Sequence, residues 1–246
     1  MTYCLGIITK DGFVAASDSR TNAGFDQVNV CRKMHLFEAP GERVFVAMTS
    51  GSLSCSQSIV TLLRRDFEEG KGLAGVESMY DAARCVGDQV RRVSKIDRKA
   101  LERDGYKVNV HILLAGQIRG EPHDLYMIYP QGNPLRHTED SPFLQIGETK
   151  YGRPILDRGV RYDQTTLDAA ARYALISIDS TIRSNATVGP PIDLLVYGRD
   201  ELNFDRRRRF PDRDPDLVAI HSQWEHALRQ AVQALPPVDF FPDRPI

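Results

Sequence analysis

The N-terminal stretch MTYCLGIITKDGFVAASDSR, residues 1–20, decides how the rest of the chain is interpreted. Tyr3 to Thr9 and Phe13 to Ser17 are two apolar runs of strand-forming residues, and Lys10-Asp11-Gly12 between them is a turn signal. The pattern predicts a hairpin whose first strand begins beside Thr2. Sheet hydrogen bonds would then hold this threonine in place, whereas most chain termini fray.

Thr2 becomes a candidate nucleophile if Met1 is removed. Its hydroxyl and a free α-amine then stand on adjacent carbon atoms. An α-amine titrates near pH ~8, so a useful fraction of it is neutral and can accept a proton. A threonine hydroxyl activated by its own N-terminal amine is a recognised catalytic device. Threonine is also a commonplace second residue, so other motifs have to support the assignment.

The composition is that of an ordinary globular protein. Apolar residues make up 41% and charged residues 26% of the 246 residues, which is enough for one sizeable core. The formal net charge of −1 argues against a nucleic-acid or membrane-surface role. The run Arg206–Arg209 is surrounded by acidic residues, and we expect a solvated, internally paired linker or a subunit-contact loop there rather than a nucleic-acid site.

The four cysteines and the chain start exclude several other classes. Neither a CxxC nor a Cys/His ligand spacing is present, so we expect neither a zinc site nor a disulfide framework. The sequence has no signal-peptide pattern and no apolar run approaching the roughly 18 residues of a membrane span. We therefore expect a cytoplasmic protein with reduced thiols.

The order of the remaining elements predicts the layers of an α+β fold. Strand patterns, two long amphipathic helices, more strands, and then helices and a last strand indicate two facing sheets with helices outside. Residues 1–210 would form this domain. Residues 211–246 look appended, as one amphipathic helix followed by a Pro-rich tail, and we expect either an assembly contact or a lid on the chain's own core. The predicted strands after the hairpin are Arg43–Met48, Val108–Ile118, Asp124–Tyr129, Phe143–Gly147 and Ile192–Tyr197, and the predicted helices are 53–69, 76–104, 151–158, 165–183 and 217–232.

Several motifs resemble those of proteasome β-type subunits. The spacing of Thr2, Ser17-Asp18-Ser19-Arg20, Ala23-Gly24 and Arg32-Lys33 is similar to the N-terminal motif set of that family, and Met48–Ser52 resembles the small-residue turn that follows. Later segments look like those of the bacterial HslV peptidase. The stretches MTYCLGI, ASDSRTNAG and CRKMHLFE look closest to the bacterial Anbu group, the ancestral β subunit. The resemblance covers about residues 2–200.

This resemblance implies an N-terminal-nucleophile hydrolase with a four-layer αββα sandwich and Thr2 as nucleophile. The positive charge of Lys33 would favour a deprotonated hydroxyl and a neutral amine, and Asp18 would hold Lys33 charged and oriented. Asp179 and Ser184 would complete the catalytic set by their HslV-like spacing. Taken singly, Lys33 also fits a surface lysine and Asp18 a turn aspartate.

The same resemblance assigns three residues to substrate binding. The backbone N–H of Ser50 occupies the position of the oxyanion donor, where only the main chain is needed. The main chain of Asn22 would pair with an extended substrate as an added strand. Met48 would form a flexible apolar floor of the pocket for the substrate side chain, although an ordinary core methionine at a strand end explains it equally well.

One departure from the family pattern concerns Glu148. The family places a serine in a Gly-Ser-Gly turn near the nucleophile, where this chain reads Ile146-Gly147-Glu148-Thr149. A carboxylate there would repel acidic substrates that come close to it and would raise the pKa of the Thr2 amine.

The sequence therefore predicts a cytoplasmic threonine-type peptidase that cleaves peptides or unfolded proteins as a homo-oligomer, either a ring or an open spiral. No metal, cofactor, nucleic acid or membrane is expected, and an unfolding ATPase is left open as a partner. Two alternatives remain at this point. One is a small-molecule amidase or transpeptidase of the same fold, and the other is a non-catalytic scaffold that keeps the assembly surfaces.

Overall fold

A computed structural model describes residues 2–22, 28–106 and 108–238 of the chain. The chain divides into two compact units, residues 1–212 and 213–246. Met1, the Ala23-Gly24 motif and the end of the Pro-rich tail lie outside the described residues.

The first unit contains the strands and four of the helices found in the described residues. The helices are α1 (Leu53–Glu68), α2 (Met79–Arg103), α3 (Arg153–Gly159) and α4 (Leu167–Ser184). The strands are β1 (Tyr3–Thr9), β2 (Gly12–Asp18), β3 (Arg20–Asn22), β4 (Val28–Val30), β5 (Met34–Ala39), β6 (Arg43–Gly51), β7 (Val110–Ile118), β8 (Asp124–Ile128), β9 (Pro134–Arg136), β10 (Phe143–Gly147), β11 (Ile192–Gly198) and β12 (Arg207–Phe210).

Ten of these strands form two antiparallel sheets. Sheet I has the order β10-β1-β2-β11-β12, and sheet II has the order β5-β6-β7-β8-β9. Strands β3 and β4 form a separate small ribbon. Because β1 lies between β10 and β2, the residue that precedes it is held next to the centre of sheet I.

The two sheets face each other across an apolar core. Cys4, Ile8 and Phe13 of sheet I pack with Val46 and Leu113 of sheet II, all of them at most 1% exposed. Helices α1 and α2 cover the other face of sheet II through a second apolar cluster, and α4 covers the other face of sheet I. The layer order is therefore αββα, which confirms the predicted fold class.

The N-terminal hairpin is confirmed in place and in register. Cys4 lies opposite Ser17 and Thr9 opposite Gly12 in the β1–β2 ladder. All residues of both strands are buried. The hairpin is a central pair of sheet I with a helix on one face and sheet II on the other, which explains its nearly continuous apolar sequence.

Two predictions about local structure are wrong. The small-residue segment 49–51 was expected to turn, but it continues β6, because Ser50 and Gly51 pair with His111 and Val110 of β7. The arginine run was expected to be a linker or loop, but Arg207–Phe210 forms the edge strand β12, paired with β11. Strand β5, which was not predicted from the sequence, is an edge strand of sheet II.

The second unit consists of helix α5 (Pro215–Gln233) and the residues around it. Asp214 caps the helix by accepting a hydrogen bond from the Asp216 N–H at 3.0 Å. Val218, Leu228 and Val232 are at least half exposed. The predicted C-terminal helix is thus present, and its use as an assembly contact stays a prediction. No helix within the described residues combines the length and apolarity that a membrane crossing requires.

Candidate active site

Thr2 is held at its backbone by the turn that follows β10. Its carbonyl oxygen accepts a hydrogen bond of 2.8 Å from the Glu148 N–H, and its neighbour Tyr3 lies opposite Gly147 in the ladder. Gly147 has φ +88°, and a Cβ on it would lie 1.9 Å from the Thr2 carbonyl oxygen. Only glycine lets the two backbones come this close. The glycine at position 147 is therefore required for the observed position of Thr2.

Asp18 and Lys33 form a buried ion pair next to this anchored terminus. The Lys33 Nζ lies 2.5 Å from Asp18 Oδ1, and the two side chains are 4% and 0% exposed. Lys33 Nζ also donates to the Arg20 carbonyl oxygen at 2.7 Å. The backbone N–H of Tyr3 donates to Asp18 Oδ1 at 2.9 Å. The pair is therefore tied directly to the residue that follows Thr2.

The surroundings of this pair have opposing effects on the pKa of Asp18. Burial raises the pKa of Asp18, while the Lys33 ammonium and the N–H groups of Tyr3 and Gly189 lower it. The Gly189 N–H donates to Asp18 Oδ2 at 3.2 Å, so both carboxylate oxygens have donors. Such a fully hydrogen-bonded carboxylate can keep a buried lysine charged and pointed in one direction.

The main chain around Lys33 is fixed as well. Its carbonyl oxygen accepts a hydrogen bond of 3.0 Å from the Thr49 N–H, which joins the loop before β5 to β6. The position of the ammonium thus depends on three elements: the end of β2, the start of β3 and the C-terminal part of β6. No single local motif in the sequence contains this arrangement.

Thr2 and Lys33 line one cavity of about 640 Å³. Ser50, Gly51 and Gly147 line it too, so the candidate nucleophile, the lysine and the candidate oxyanion donor share one cavity. Gly51 has φ +108°, and a Cβ there would meet the Asn109 carbonyl oxygen at 1.7 Å. The backbone beside Ser50 consequently has a shape that a larger residue at position 51 would destroy.

The other two predicted substrate-binding residues differ in their surroundings. Met48 is fully buried in the core between the sheets and does not line the cavity. This is the alternative that the sequence left open, and a role for Met48 under the substrate stays a prediction. Asn22 ends β3, where its backbone pairs with Val28 of β4.

The late residues lie on and after helix α4. Asp179 is partly buried within the helix, and Ser184 is exposed at its last position; neither is among the residues that line the cavity. The structure does link this end of α4 to the Thr2 anchor by another route. Asn185 Nδ2 donates to Glu148 Oε2 at 2.9 Å, and Glu148 is the residue whose N–H holds Thr2.

Two contributions to the site carry no recognisable signal in the sequence. Gly189, which donates to Asp18, precedes β11 and is 171 residues away from its partner. The Tyr3 hydroxyl lies 2.7 Å from Ser177 Oγ and also accepts from Gln145 Nε2. Burial raises the pKa of Tyr3 to about 12, so this hydroxyl stays protonated and connects β1 to α4 and β10. Its place inside an apolar run made Tyr3 look like a core residue only.

The residues described here offer no group of three or more His, Cys, Asp or Glu side chains arranged to hold a metal ion. The chemistry of the cavity is instead that of a hydroxyl, a buried ammonium and backbone N–H groups.

Comparisons with known proteins agree with this fold. No protein-family model matches the chain. The proteasome subunit beta of Haloferax volcanii is 24% identical over 213 residues, which are 85% of this chain and 78% of that protein. The structure of Anbu, the ancestral beta-subunit, from Yersinia bercovieri is 43% identical with a TM-score of 0.90, covering 97% of this chain and 99% of that one. The helical assembly of the Anbu complex from Pseudomonas aeruginosa is 44% identical with a TM-score of 0.91, covering 98% and 100%.

Two sheets packed between helices, with a threonine just before the interior strand β1, define the N-terminal-nucleophile hydrolase fold in its proteasome-like form. Within it, the chain belongs to the Anbu group of proteasome β-type proteins.

Proposed function

We propose that this protein is a threonine-type peptidase in which Thr2, exposed as the N-terminus by removal of Met1, is the nucleophile. One observation carries the proposal. The ammonium of Lys33, held 2.5 Å from a fully buried Asp18, belongs to the wall of the cavity that Thr2 also lines. Burial of a charged lysine costs desolvation free energy, and a role in the reaction would account for this cost.

The proposed reaction is an acyl transfer in two halves. The Thr2 hydroxyl attacks the substrate carbonyl carbon while its proton passes to the Thr2 amine, directly or through a water molecule. The oxyanion that forms accepts a hydrogen bond from the Ser50 N–H. When the C–N bond breaks, the leaving amine takes up the proton and the acyl group stays on Thr2 as an ester. Water then attacks this ester and releases the acid, which restores the hydroxyl.

Asp18 and Lys33 would act by charge and position. The Lys33 ammonium stabilises the developing alkoxide and keeps the nearby α-amine neutral, and Asp18 fixes the ammonium. Asp179 and Ser184 are proposed to support the terminus from α4, and Asn22 and Met48 to contact the substrate. None of these roles needs a metal or a cofactor.

We further propose that the protein works as a homo-oligomer in the cytoplasm on peptides or unfolded proteins. The relative from Pseudomonas aeruginosa is described as a helical assembly, which supports self-association here. The exposed apolar residues of α5 are the proposed contact. Whether that contact closes a ring or builds an open spiral depends on the rotation between neighbouring copies.

Two variants of the nucleophile test the proposal. Thr2→Ala removes the hydroxyl and should abolish turnover of unfolded proteins and short peptides, whereas Thr2→Ser keeps a hydroxyl beside the amine and should keep measurable turnover. Equal turnover by the native protein and the Thr2→Ala variant would exclude the mechanism. Turnover that is confined to small acyl-amides, and lost in Thr2→Ala, would support an amidase of the same fold instead.

A further inference from the structure

A second cavity, which we name the arginine groove, runs between the edges of the two sheets. Among the described strands, β5 is one of the two outer strands of sheet II and β12 one of the two outer strands of sheet I, so each has one side of its backbone unpaired. The groove has a volume of about 640 Å³. The basic residues that line it are Arg32, His35, Arg64, Arg207, Arg208 and Arg209.

The arginine groove carries an excess of positive charge. Two carboxylates, Glu38 and Asp193, also line it, and the charges of Arg32 and Arg64 make up the excess. Arg209 lies 2.6 Å from Asp193, and Arg207 lies 3.5 Å from Glu38. Arg32 and Arg64 are exposed and form no ion pair with any residue that the structure describes.

The effect of these charges is visible at His35, in the wall of the groove. Burial, together with repulsion of the imidazolium by Arg64 and Arg32, lowers the pKa of His35 to about 4. The ring is therefore neutral at physiological pH although Glu38 stands on the same strand. A ligand with negative charge would lower the local potential, so the groove favours anions over neutral molecules.

The groove adjoins the candidate active site at Arg32. Arg32 lines both cavities and directly precedes Lys33. On the other wall, the Ser19 hydroxyl donates to Asp193 Oδ2 at 3.3 Å, and Ser19 follows Asp18 in the chain. A chain that occupies the Thr2 cavity can thus extend past Arg32 into the arginine groove.

We infer that the arginine groove binds acidic segments of the peptide chains that reach Thr2, and so selects acidic substrates. The inference rests on the proposed function. The six residues of β5 extend over about 20 Å, enough for an extended segment of several residues. Carboxylate side chains match guanidinium groups in both charge and geometry, and the unpaired edges can bind the peptide backbone irrespective of its sequence.

A binding experiment on the Thr2→Ala protein tests this without any need for turnover. A fluorescein-labelled oligoglutamate peptide, and oligoglutamine of equal length, would be titrated with the full-length variant while anisotropy is recorded. We expect the glutamate peptide to bind more tightly, with an affinity that falls steeply with added salt because the Debye length is only about 10 Å at 0.1 M. Adding Arg64→Glu should weaken its binding about tenfold.

Arg65→Glu is the matched control, because Arg65 is exposed on the same helix, carries the same charge and does not line the groove. It should change the affinity by less than about twofold. Equal binding of the two peptides, or equal effects of the two substitutions, would overturn the inference.

Two further outcomes would also overturn it. If an oligonucleotide of equal charge binds more tightly than the glutamate peptide and loses affinity in Arg64→Glu, the groove is a nucleic-acid site. If Arg64→Glu alone changes the oligomeric state in light scattering and neither peptide binds, the groove is a contact between copies. Failure of peptide turnover in the native protein would refute the proposed function but leave the measured binding preference intact.

Discussion

The Asp18–Lys33 pair and the arginine groove are neighbours in the chain, but their charges are arranged in opposite ways. Lys33 is 4% exposed at its side chain and has one carboxylate and one carbonyl as partners. Arg32, the residue before it, is exposed and has no carboxylate partner in the described chain. One charge is enclosed and balanced, and the next is open and unbalanced.

This difference indicates two separate roles for positive charge in the molecule, one for Lys33 and one for the arginines of the groove. A buried, saturated ammonium has one position and can tune the chemistry of a nearby group. Open guanidinium groups have no fixed partner and are available to a ligand. Changes at Lys33 should therefore affect both stability and reaction, while changes in the groove should affect only the choice of substrate.

The largest effect is expected for Lys33→Met, which leaves the Asp18 carboxylate buried without a cation. We expect a loss of about 3–5 kcal/mol in the free energy of unfolding at neutral pH, measured by urea denaturation. The double variant Asp18→Asn/Lys33→Met should recover much of this loss, because no unpaired charge remains. Recovery should be incomplete, since the Tyr3 and Gly189 N–H groups donate to different oxygens of Asp18 and asparagine keeps an acceptor at only one of these positions.

The pH dependence of the unfolding free energy of Lys33→Met serves as the control for this prediction. Burial already raises the pKa of Asp18, and without Lys33 nothing but the two N–H groups opposes that rise. A carboxyl whose pKa is higher in the folded state favours folding only while it is protonated. The deficit of Lys33→Met should thus be greatest above the raised pKa and shrink as the pH falls below it. A deficit that does not change with pH would show that Asp18 is not the cause.

Gly147→Ala should have the next largest effect, because it separates Thr2, the proposed nucleophile, from the turn that anchors it. The added Cβ meets the Thr2 carbonyl oxygen at 1.9 Å, so we expect a loss of more than about 3 kcal/mol in unfolding free energy and a loss of turnover. Gly120→Ala is the matched control, since Gly120 has φ +86° with nothing within 4 Å. It should cost about 1 kcal/mol and leave turnover unchanged. Equal effects of the two substitutions would mean that backbone strain alone matters.

Glu148→Gln should have the smallest effect. Removal of this charge near Thr2 should lower the pKa of the α-amine by a fraction of a unit, because the carboxylate favours the protonated amine. Turnover requires the neutral amine, so the acid limb of the pH–rate profile should move to lower pH. The hydrogen bond from Asn185 can be kept by the glutamine oxygen. A shift to higher pH would contradict the assigned role of the amine as base.

The parts of the fold that sequence reasoning found are those with a strong local pattern. The apolar runs Tyr3–Thr9 and Phe13–Ser17, the turn between them and the long amphipathic helices were all recognisable, because burial imposes a period on the sequence. Strands β5 and β12 were not, since an edge strand has one solvated side and can carry His35 or Arg208. The arginine run therefore looked like a loop although it pairs with β11.

The candidate site divides in the same way. Thr2, Asp18 and Lys33 could be named from their spacing, because all three lie within the N-terminal part that resembles proteasome β-type subunits. Hydrogen-bond donors to the Asp18–Lys33 pair lie far from it in the sequence. The Gly189 N–H reaches Asp18 only when β11 has paired with β2. Such contacts depend on tertiary structure, and no local sequence pattern specifies them.

The most direct test of the central claim is the intact mass of the protein before and after treatment with a β-lactone, which acylates an activated threonine hydroxyl. We predict that the native protein lacks the mass of Met1 and gains the mass of one lactone, with the adduct on Thr2, whereas the Thr2→Ala variant gains none. Native protein without Met1 that forms no adduct, or an equal adduct on Thr2→Ala, would contradict the assignment of Thr2 as the nucleophile.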